Sequence, residues 1–410
     1  MHPQAWSLLL VTILARCCML SGGESLFAQA SALSNEYPSS TSLCGEDLAE
    51  ETGTLNGLYY VYYQSSAKRK NVPVILWLSG GPGCSGLVAL LFENGPCSFD
   101  DETDTISLNP YAWTGLANVV YLDQPKGTGY SNGERGITRP WSLDGAADDI
   151  HEFLHQFYQQ HPELRVSDFY IFGESFAGHY VPDLALRLID DSSLPTLKGI
   201  AIGNGVVSTT AWVESVIPFF KVNEYGYDFL GSNEIILGRN AYDIRRECHQ
   251  DDALQLCYRF SRLQAFVNTP AASSYFGEAP HEWKLCSSGA LQQLAEMDQL
   301  EESESNVARA LERGVRVLVY GGDADTVVNW MSQDLWTRAL SWKHQAQFSS
   351  AAFNEQKYNG RSIGRVRSSH GLSFMKVYNA GHMVPHDQPA IAYEMVRSFL
   401  HDDPRVGMFS

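Results

Sequence analysis

The stretch 169–189 holds a serine between two glycines, where strand-like sequence changes to helix-like sequence. The aromatic and β-branched run FYIF precedes Gly173 and Ser175, and apolar residues at helical spacing follow Gly178. The arrangement resembles the Gly-x-Ser-x-Gly pattern of a nucleophile elbow, a tight strand-turn-helix that leaves its serine exposed above the sheet edge. Ser175 is therefore the candidate nucleophile, and an ordinary glycine-rich turn is the alternative.

Acidic residues and a histidine follow the last two strand-like segments. The apolar run 315–320 precedes Asp323 and Asp325, and the run 372–378 precedes His382. The order serine, aspartate, histidine is that of the α/β-hydrolase triad, in which the histidine is the base and the aspartate orients it. Asp323 and Asp325 are both candidates for the acid.

A glycine-rich loop, from Ser79 to Gly86, follows the apolar run 73–78. Such a loop could cradle a phosphate, but the Gly-Lys-Ser/Thr of a phosphate-binding loop does not follow it. We interpret it as an oxyanion loop, in which glycines let backbone N–H groups converge on one substrate oxygen.

Strand-like and helix-like segments alternate through most of the chain, which predicts a mainly parallel central sheet flanked by helices, an α/β-hydrolase fold. The predicted strands are 58–64, 73–78, 117–122, 169–172, 197–205, 315–320 and 372–378, and the predicted helices are 87–92, 148–158 and 181–189. The first of these strands is expected to be antiparallel and the second fully buried.

The alternation stops between residues 206 and 312, where polar residues and helix formers dominate and no buried strand-like run occurs. We expect an inserted, mostly helical lid over the carboxyl edge of the sheet; a separate domain is the alternative. The core then consists of 31–205 and 313–410.

Residues 1–30 are interpreted as a secretory signal peptide. The apolar run from Ala5 to Leu20 contains Arg16 and is short for a membrane span, and small residues suit cleavage after Gly23 or Ala30. A retained anchor is the less favoured alternative. We expect no membrane anchor after signal removal, and a location in the secretory pathway, in a lysosome- or vacuole-like acidic compartment or outside the cell.

The amino-acid composition restricts the kinds of molecule that the protein is expected to bind. The 410 residues carry a net charge of −18, with a pI near 5.0, which argues against binding nucleic acid or anionic membranes. Six cysteines lie beyond the signal, an even number that suggests three disulfides in an oxidising compartment. Because no Cys-x-x-Cys pair occurs, a zinc site is not favoured, and no metal or cofactor is expected.

Four motifs together resemble the serine carboxypeptidase family: WLSGGPGCSG, YLDQPKGTGYS, GESFAGHYVP and YNAGHMVPHDQP, with YGGDADTVVNW in support. The resemblance spans roughly residues 55 to 400. It implies a peptidase that acts on peptides with a free C-terminus. It also implies the triad Ser175, His382 and Asp325, and an oxyanion hole formed by the backbone N–H groups of Gly81 and Phe176.

The resemblance further implies how the substrate carboxylate is bound. A carboxyl pair, Glu93 and Glu174, would share a proton and donate it to the substrate, together with Ser79 and Gly80 of the oxyanion loop. Such a pair favours peptide hydrolysis at acidic pH, about 4 to 6. Ser79 replaces the family's asparagine, and a hydroxyl offers one donor where an amide offers two. The alternative for Glu93 is a surface position.

By the same resemblance Cys84 pairs with Cys286 and Cys248 with Cys257, which leaves Cys44 with Cys97. A serine carboxypeptidase-like acyltransferase is the alternative function, and a protective partner of another hydrolase is a third. Side-chain preference and lid cleavage are not predicted, and the oligomeric state is left open, with a homodimer as one alternative.

Overall fold

The computed structural model describes residues 43–44, 50–67, 69–131, 142–226, 238–248, 257–277, 281–290 and 302–401. The predicted signal peptide and its cleavage positions lie outside these ranges. No helix within them is long and apolar enough to cross a membrane.

Ten strands of the described chain form one sheet, in the order β1-β2-β6-β3-β7-β8-β11-β14-β13-β12. Six neighbouring strands at its centre, from β6 to β14 in that order, are parallel, and antiparallel hairpins complete both edges. The strands are β1 (Glu50–Leu55), β2 (Leu58–Tyr63), β3 (Val74–Leu78), β4 (Cys97–Asp100), β5 (Thr105–Leu108), β6 (Asn118–Leu122), β7 (Phe169–Glu174), β8 (Leu197–Gly203), β9 (Arg239–Asn240), β10 (Asp243–Glu247), β11 (Arg316–Gly322), β12 (Asn354–Tyr358), β13 (Arg361–Ser369) and β14 (Leu372–Val377). The predicted mainly parallel sheet is confirmed.

Both faces of the sheet are buried. Ile75 and Trp77 of β3 belong to one hydrophobic cluster, and Val74, Leu76 and Leu78 belong to the other. Because side chains alternate along a strand, this division places one cluster on each face, which explains the continuous apolar runs of the central strands.

Helices cover the two faces. They are α1 (Gly86–Phe92), α2 (Leu143–Gln160), α3 (Ala177–Ile189), α4 (Thr209–Val222), α5 (Phe260–Val267), α6 (Pro270–Ser273), α7 (Glu304–Glu312), α8 (Trp330–Ala339), α9 (Gln345–Ser350), α10 (Val384–Asp387) and α11 (Pro389–His401). Helix α3, which follows Ser175, packs on α2 and on β7 and β8. The turn at Ser175 is thus held between the centre of the sheet and a buried helix.

The range predicted as the lid contains α4, α5 and α6, and also the two-stranded sheet of β9 and β10. Its last helix, α7, packs on α3 and β11 and so lies with the helices of the core. The edge strands β1, β12 and β13 were not predicted, because they carry too many polar residues to form an apolar run.

Candidate active site

Ser175 occupies the turn between β7 and α3 and has a positive φ of 62°. Its N–H donates to the carbonyl oxygen of Gly203 (3.0 Å), and its own carbonyl accepts from Gly178 (3.0 Å) and Val206 (2.9 Å). A non-glycine residue in this conformation is uncommon and is held here by its surroundings. The turn leaves Ser175 partly exposed while its neighbours are buried.

The two glycines flanking Ser175 allow close packing. A Cβ at Gly173 would lie 2.7 Å from the Ala177 Cβ, and one at Gly178 would lie 2.6 Å from the Val206 carbonyl oxygen. Ala177 stands where the Gly-x-Ser-x-Gly pattern has its second glycine, and Gly178 comes one residue later. The pattern interpreted from the sequence is corrected in this respect: its second glycine lies at position 178. The residue of the turn in the left-handed conformation is Ser175 itself.

His382 and Asp325 lie together after β14 and β11. His382 Nδ1 is 2.7 Å from Asp325 Oδ2, and both side chains are buried. The backbone N–H groups of Val327 and Val328 donate to Asp325 at 2.8 and 3.2 Å. His382 Nε2 is buried without a hydrogen-bond partner among the described residues, so the nitrogen that a triad base uses is not engaged elsewhere.

Asp323, the competing acid, has other partners. It accepts a 2.7 Å hydrogen bond from the Tyr225 hydroxyl. Burial raises the pKa of Asp323 to about 6, against the lowering effects of that hydrogen bond and of the Lys376 charge. The geometry therefore places Asp325, and not Asp323, beside His382.

The oxyanion loop packs directly on the Ser175 turn. A Cβ at Gly80 would lie 2.7 Å from Phe176 N and from Ser175 Cβ. Gly81 has a φ of +111°, and a Cβ there would lie 2.8 Å from Cys84 N. Glycine at position 80 allows the loop to approach the backbone of the Ser175 turn, and glycine at position 81 allows the loop to fold closely on its own backbone.

Glu93 follows α1 and Glu174 ends β7, and each is only 6% exposed. Glu93 is therefore not a surface residue. Burial raises the pKa of Glu93 to about 8, against the lowering effect of its hydrogen bond with Glu174. Burial also raises the pKa of Glu174 well above its ordinary value, and the charge and hydrogen bond of Glu93 raise it further. Two buried carboxyls in contact do not both ionise, so the pair retains a proton.

Ser79 is buried in the oxyanion loop. Its hydroxyl oxygen accepts a hydrogen bond from Trp77 Nε1 at 3.1 Å, and its carbonyl accepts from Gln124 Nε2 at 3.1 Å. The hydroxyl hydrogen is left for one donation.

Two groups that contact Asp325 and His382 were missed by the sequence analysis. Asn204 Nδ2 donates to Asp325 Oδ2 at 2.7 Å, so Asn204 fixes the acid from the end of β8. Its position in Gly-Asn-Gly at the carboxyl end of a central strand was a usable signal. Tyr242 accepts from the His382 backbone at 2.7 Å and places its ring against the imidazole, with 4.7 Å between ring centroids. No pattern in the sequence marks Tyr242, because it comes from residues 206–312, the range predicted as an insertion (the inserted region).

The structure contains the disulfides Cys84–Cys286, Cys248–Cys257 and Cys44–Cys97. Hydrogen bonds from Ser85 N to Leu285 O (2.9 Å) and from Ser287 N to Gly83 O (2.8 Å) run beside the first. The oxyanion loop is thus joined to the inserted region by a covalent bond and two backbone hydrogen bonds.

The model of the serine carboxypeptidase family matches residues 48–227 and 221–402, nearly all of the described chain. The chain belongs to the serine carboxypeptidase family. Serine carboxypeptidase 3 of Hordeum vulgare is 31% identical over 385 residues, which cover 83% of this chain and 74% of the relative. A vacuolar serine-type carboxypeptidase of Saccharomyces cerevisiae is 30% identical over 390 residues, covering 83% and 76%. This enzyme is therefore a peptidase of that family.

The fold agrees with a solved structure of a prohormone-processing carboxypeptidase from Saccharomyces cerevisiae. The TM-score is 0.71 at 22% identity, and the match covers 84% of this chain and 87% of the other. The predicted α/β-hydrolase fold is confirmed.

Proposed function

We propose that this enzyme releases C-terminal residues from peptides at acidic pH through a covalent acyl-enzyme on Ser175. The buried carboxyl pair beside the Ser175 turn is the observation that carries the proposal. A triad alone hydrolyses many acyl compounds, whereas Glu93 and Glu174 suit a substrate that ends in a carboxylate.

The triad performs the bond exchange. Ser175 Oγ attacks the scissile carbonyl while His382 Nε2 takes its proton, and Asp325 holds the Nδ1–H of the imidazole. The backbone N–H groups of Gly81 and Phe176 stabilise the oxyanion. His382 then returns the proton to the leaving amine, and a water molecule releases the acyl group by the same steps in reverse.

The carboxyl pair selects the C-terminus. Glu93 and Glu174 each have one oxygen, Oε2, that is buried without a hydrogen-bond partner in the described part of the chain. A protonated carboxyl can donate to the substrate carboxylate, with the Ser79 hydroxyl and the Gly80 backbone beside it. Acidic pH keeps the pair protonated and so keeps it from repelling the substrate.

An acyltransferase reaction is the alternative, because the same acyl-enzyme can pass to an alcohol or amine instead of water. Ser79 favours the acyltransferase reaction in one respect. The single donor of its hydroxyl binds a peptide carboxylate less strongly than the two N–H donors of an asparagine amide. The intact carboxyl pair favours hydrolysis.

The partners and compartment follow from this reaction. Peptides with a free C-terminus are the proposed substrates, and an acidic vacuole- or lysosome-like compartment, or secretion, suits a pair that must stay protonated. A homodimer and the division into core and lid stay predictions.

Release of the last residue from an N-blocked dipeptide tests the proposal. Wild-type enzyme should release it and should not act on the C-terminally amidated dipeptide at a comparable rate, and Ser175→Ala should abolish release. Equal rates on both peptides would contradict recognition of the carboxylate. Added amine or alcohol that captures most of the acyl group would favour the acyltransferase.

A further inference from the structure

Helix α2 carries a pattern that the peptidase chemistry does not use. Residues 151–155 read His-Glu-Phe-Leu-His, so two histidines stand four residues apart on one face of a helix. Phe153 and Leu154 are buried in the core, whereas His151 and His155 are half-buried at the surface. Two helical histidines at this spacing can both ligate one metal ion.

A carboxylate from a second element meets the two imidazoles. Asp191, two residues beyond the end of α3, has its Oδ2 2.9 Å from His151 Nε2 and 2.8 Å from His155 Nε2. The three ligand atoms all lie within 4.8 Å of one another. The side chains are 27%, 28% and 19% exposed, which leaves a side of the cluster open to solvent.

The carboxylate is held by a supporting shell. Asp191 Oδ1 accepts from the backbone N–H of Ser193 at 2.8 Å and from its hydroxyl at 2.6 Å. These bonds direct the other oxygen at both imidazoles. Outer-shell hydrogen bonds of this kind orient the ligands of metal sites.

We propose that His151, His155 and Asp191 form a site for a divalent transition metal such as Zn²⁺, with water as the fourth ligand. Tetrahedral zinc, with bonds of about 2.0–2.1 Å, separates its N and O ligands by about 3.3 Å. The two His–Asp separations of 2.8–2.9 Å must open by about half an ångström to reach that value. The two imidazole nitrogens lie within 4.8 Å of each other and must approach by up to about 1.5 Å, which rotation of the half-buried side chains allows. Imidazole and carboxylate ligands suit Zn²⁺ better than Mg²⁺ or Ca²⁺.

The site binds a metal without forming a second hydrolytic centre. Glu152, the acidic residue between the two histidines, is exposed and accepts a hydrogen bond from Gln156 Nε2 at 2.9 Å. A metal here joins α2 to the end of α3, the helix that begins behind Ser175. Its effect is to stabilise the packing of these two helices. The earlier expectation of no metal rested on cysteine spacing alone.

Zinc binding is measured by calorimetry on the full mature chain without a histidine tag, at pH 7.5, where imidazoles can bind metal. Wild-type protein should bind Zn²⁺, and its unfolding temperature should rise with added Zn²⁺. His151→Gln, His155→Gln and Asp191→Asn should each weaken binding at least tenfold, and Ser193→Ala about tenfold.

His370→Gln is the matched control, since His370 stacks on His344 at 3.9 Å in a separate histidine pair. It should leave zinc binding and the temperature shift unchanged. Peptidase activity without zinc should be unchanged in all these variants, which shows that they fold. Zinc binding that survives in His151→Gln, or that is lost in His370→Gln, would overturn the site. Peptide hydrolysis by zinc-loaded Ser175→Ala would contradict the proposal that the metal site only binds zinc and is not a second hydrolytic centre.

Discussion

Asp323 and Asp325 are two residues apart and differ in their partners. Asp325→Asn should lower kcat by about 10³- to 10⁴-fold, because His382 loses the acceptor that fixes its tautomer. Asp323→Asn should keep kcat within about threefold, since the hydrogen bond of Asp323 is with Tyr225 and not with His382. Measuring kcat of the two variants on a blocked dipeptide decides between the two aspartates. A larger loss of kcat in Asp323→Asn than in Asp325→Asn would mean that the acid is misassigned.

The three members of the triad should also act as one unit. Ser175→Ala and His382→Ala should each remove most activity, and the double variant should be little worse than either alone. Losses that multiply in the double variant would show that the two residues act independently.

Ser79 tests the recognition of the carboxylate. Ser79→Asn should lower KM for peptides by the equivalent of about 0.5–1.5 kcal/mol, because an amide that accepts from Trp77 offers two donors where the hydroxyl offers one. Turnover of a blocked amino-acid ester should change little. Ser79→Ala should raise KM for the peptide, and an unchanged KM in both variants would remove Ser79 from the carboxylate site.

The raised pKa of Glu93 makes the free energy of unfolding depend on pH. Its pKa is raised from 4.5 to about 8, so the native state keeps a proton that the unfolded state loses above pH 4.5. The free energy of unfolding should therefore fall as pH rises towards 8, by about 1.4 kcal/mol per pH unit for one proton. In denaturant titrations Glu93→Gln should make this dependence shallower than in wild type, with the contribution of Glu174 remaining, and exposed Glu355→Gln should leave it unchanged. A slope in Glu93→Gln as steep as that of wild type would contradict the assignment.

At the scale of elements, β10 of the inserted region holds the loop that carries His382. Arg245 and Arg246 of β10 pair with Asp387 at 3.0 and 3.1 Å, and Asp387 accepts from Gly381 N at 2.6 Å. The buried carboxylate thus connects the inserted region to Gly381, the residue before His382.

Asp387→Asn should lower kcat about tenfold as well as thermal stability, because the loop of His382 loses this support. The matched control is Asp334→Asn, which breaks ion pairs with Arg338 and Arg367 on α8 and β13. It should lower the unfolding temperature but leave kcat unchanged. An equal loss of kcat in both variants would mean that the effect is general destabilisation.

The central strands could be predicted from the sequence because strands buried on both faces have continuous apolar runs, as in β3 and β7. Helix α2 was predicted from its apolar spacing, although it begins at Leu143, before the predicted 148. The edge strands β12 and β13 could not be predicted from the sequence, because their half-exposed residues do not form a continuous apolar run. Motif residues of the site were predictable, but Asn204 and Tyr242 depend on contacts between distant segments.

At the scale of the whole molecule, the buried carboxyl pair joins the end of α1 to the end of β7, a central strand of the sheet. The pKa of Glu93, about 8, extends the range in which the pair stays protonated beyond the pH 4 to 6 expected from the sequence. The pair should therefore bind a substrate carboxylate through the whole acidic range. Loss of its proton should weaken the binding of the substrate carboxylate as the pH approaches 8.

Parallel pH profiles of kcat/KM for a blocked dipeptide and a blocked amino-acid ester test the central claim most directly, since kcat/KM reports groups of the free enzyme. The rate for the peptide should fall as pH rises through about 8, where Glu93 loses its proton. The rate for the ester should hold, because it needs only the triad. Two profiles of the same shape would contradict the role of the carboxyl pair and favour a plain esterase or an acyltransferase.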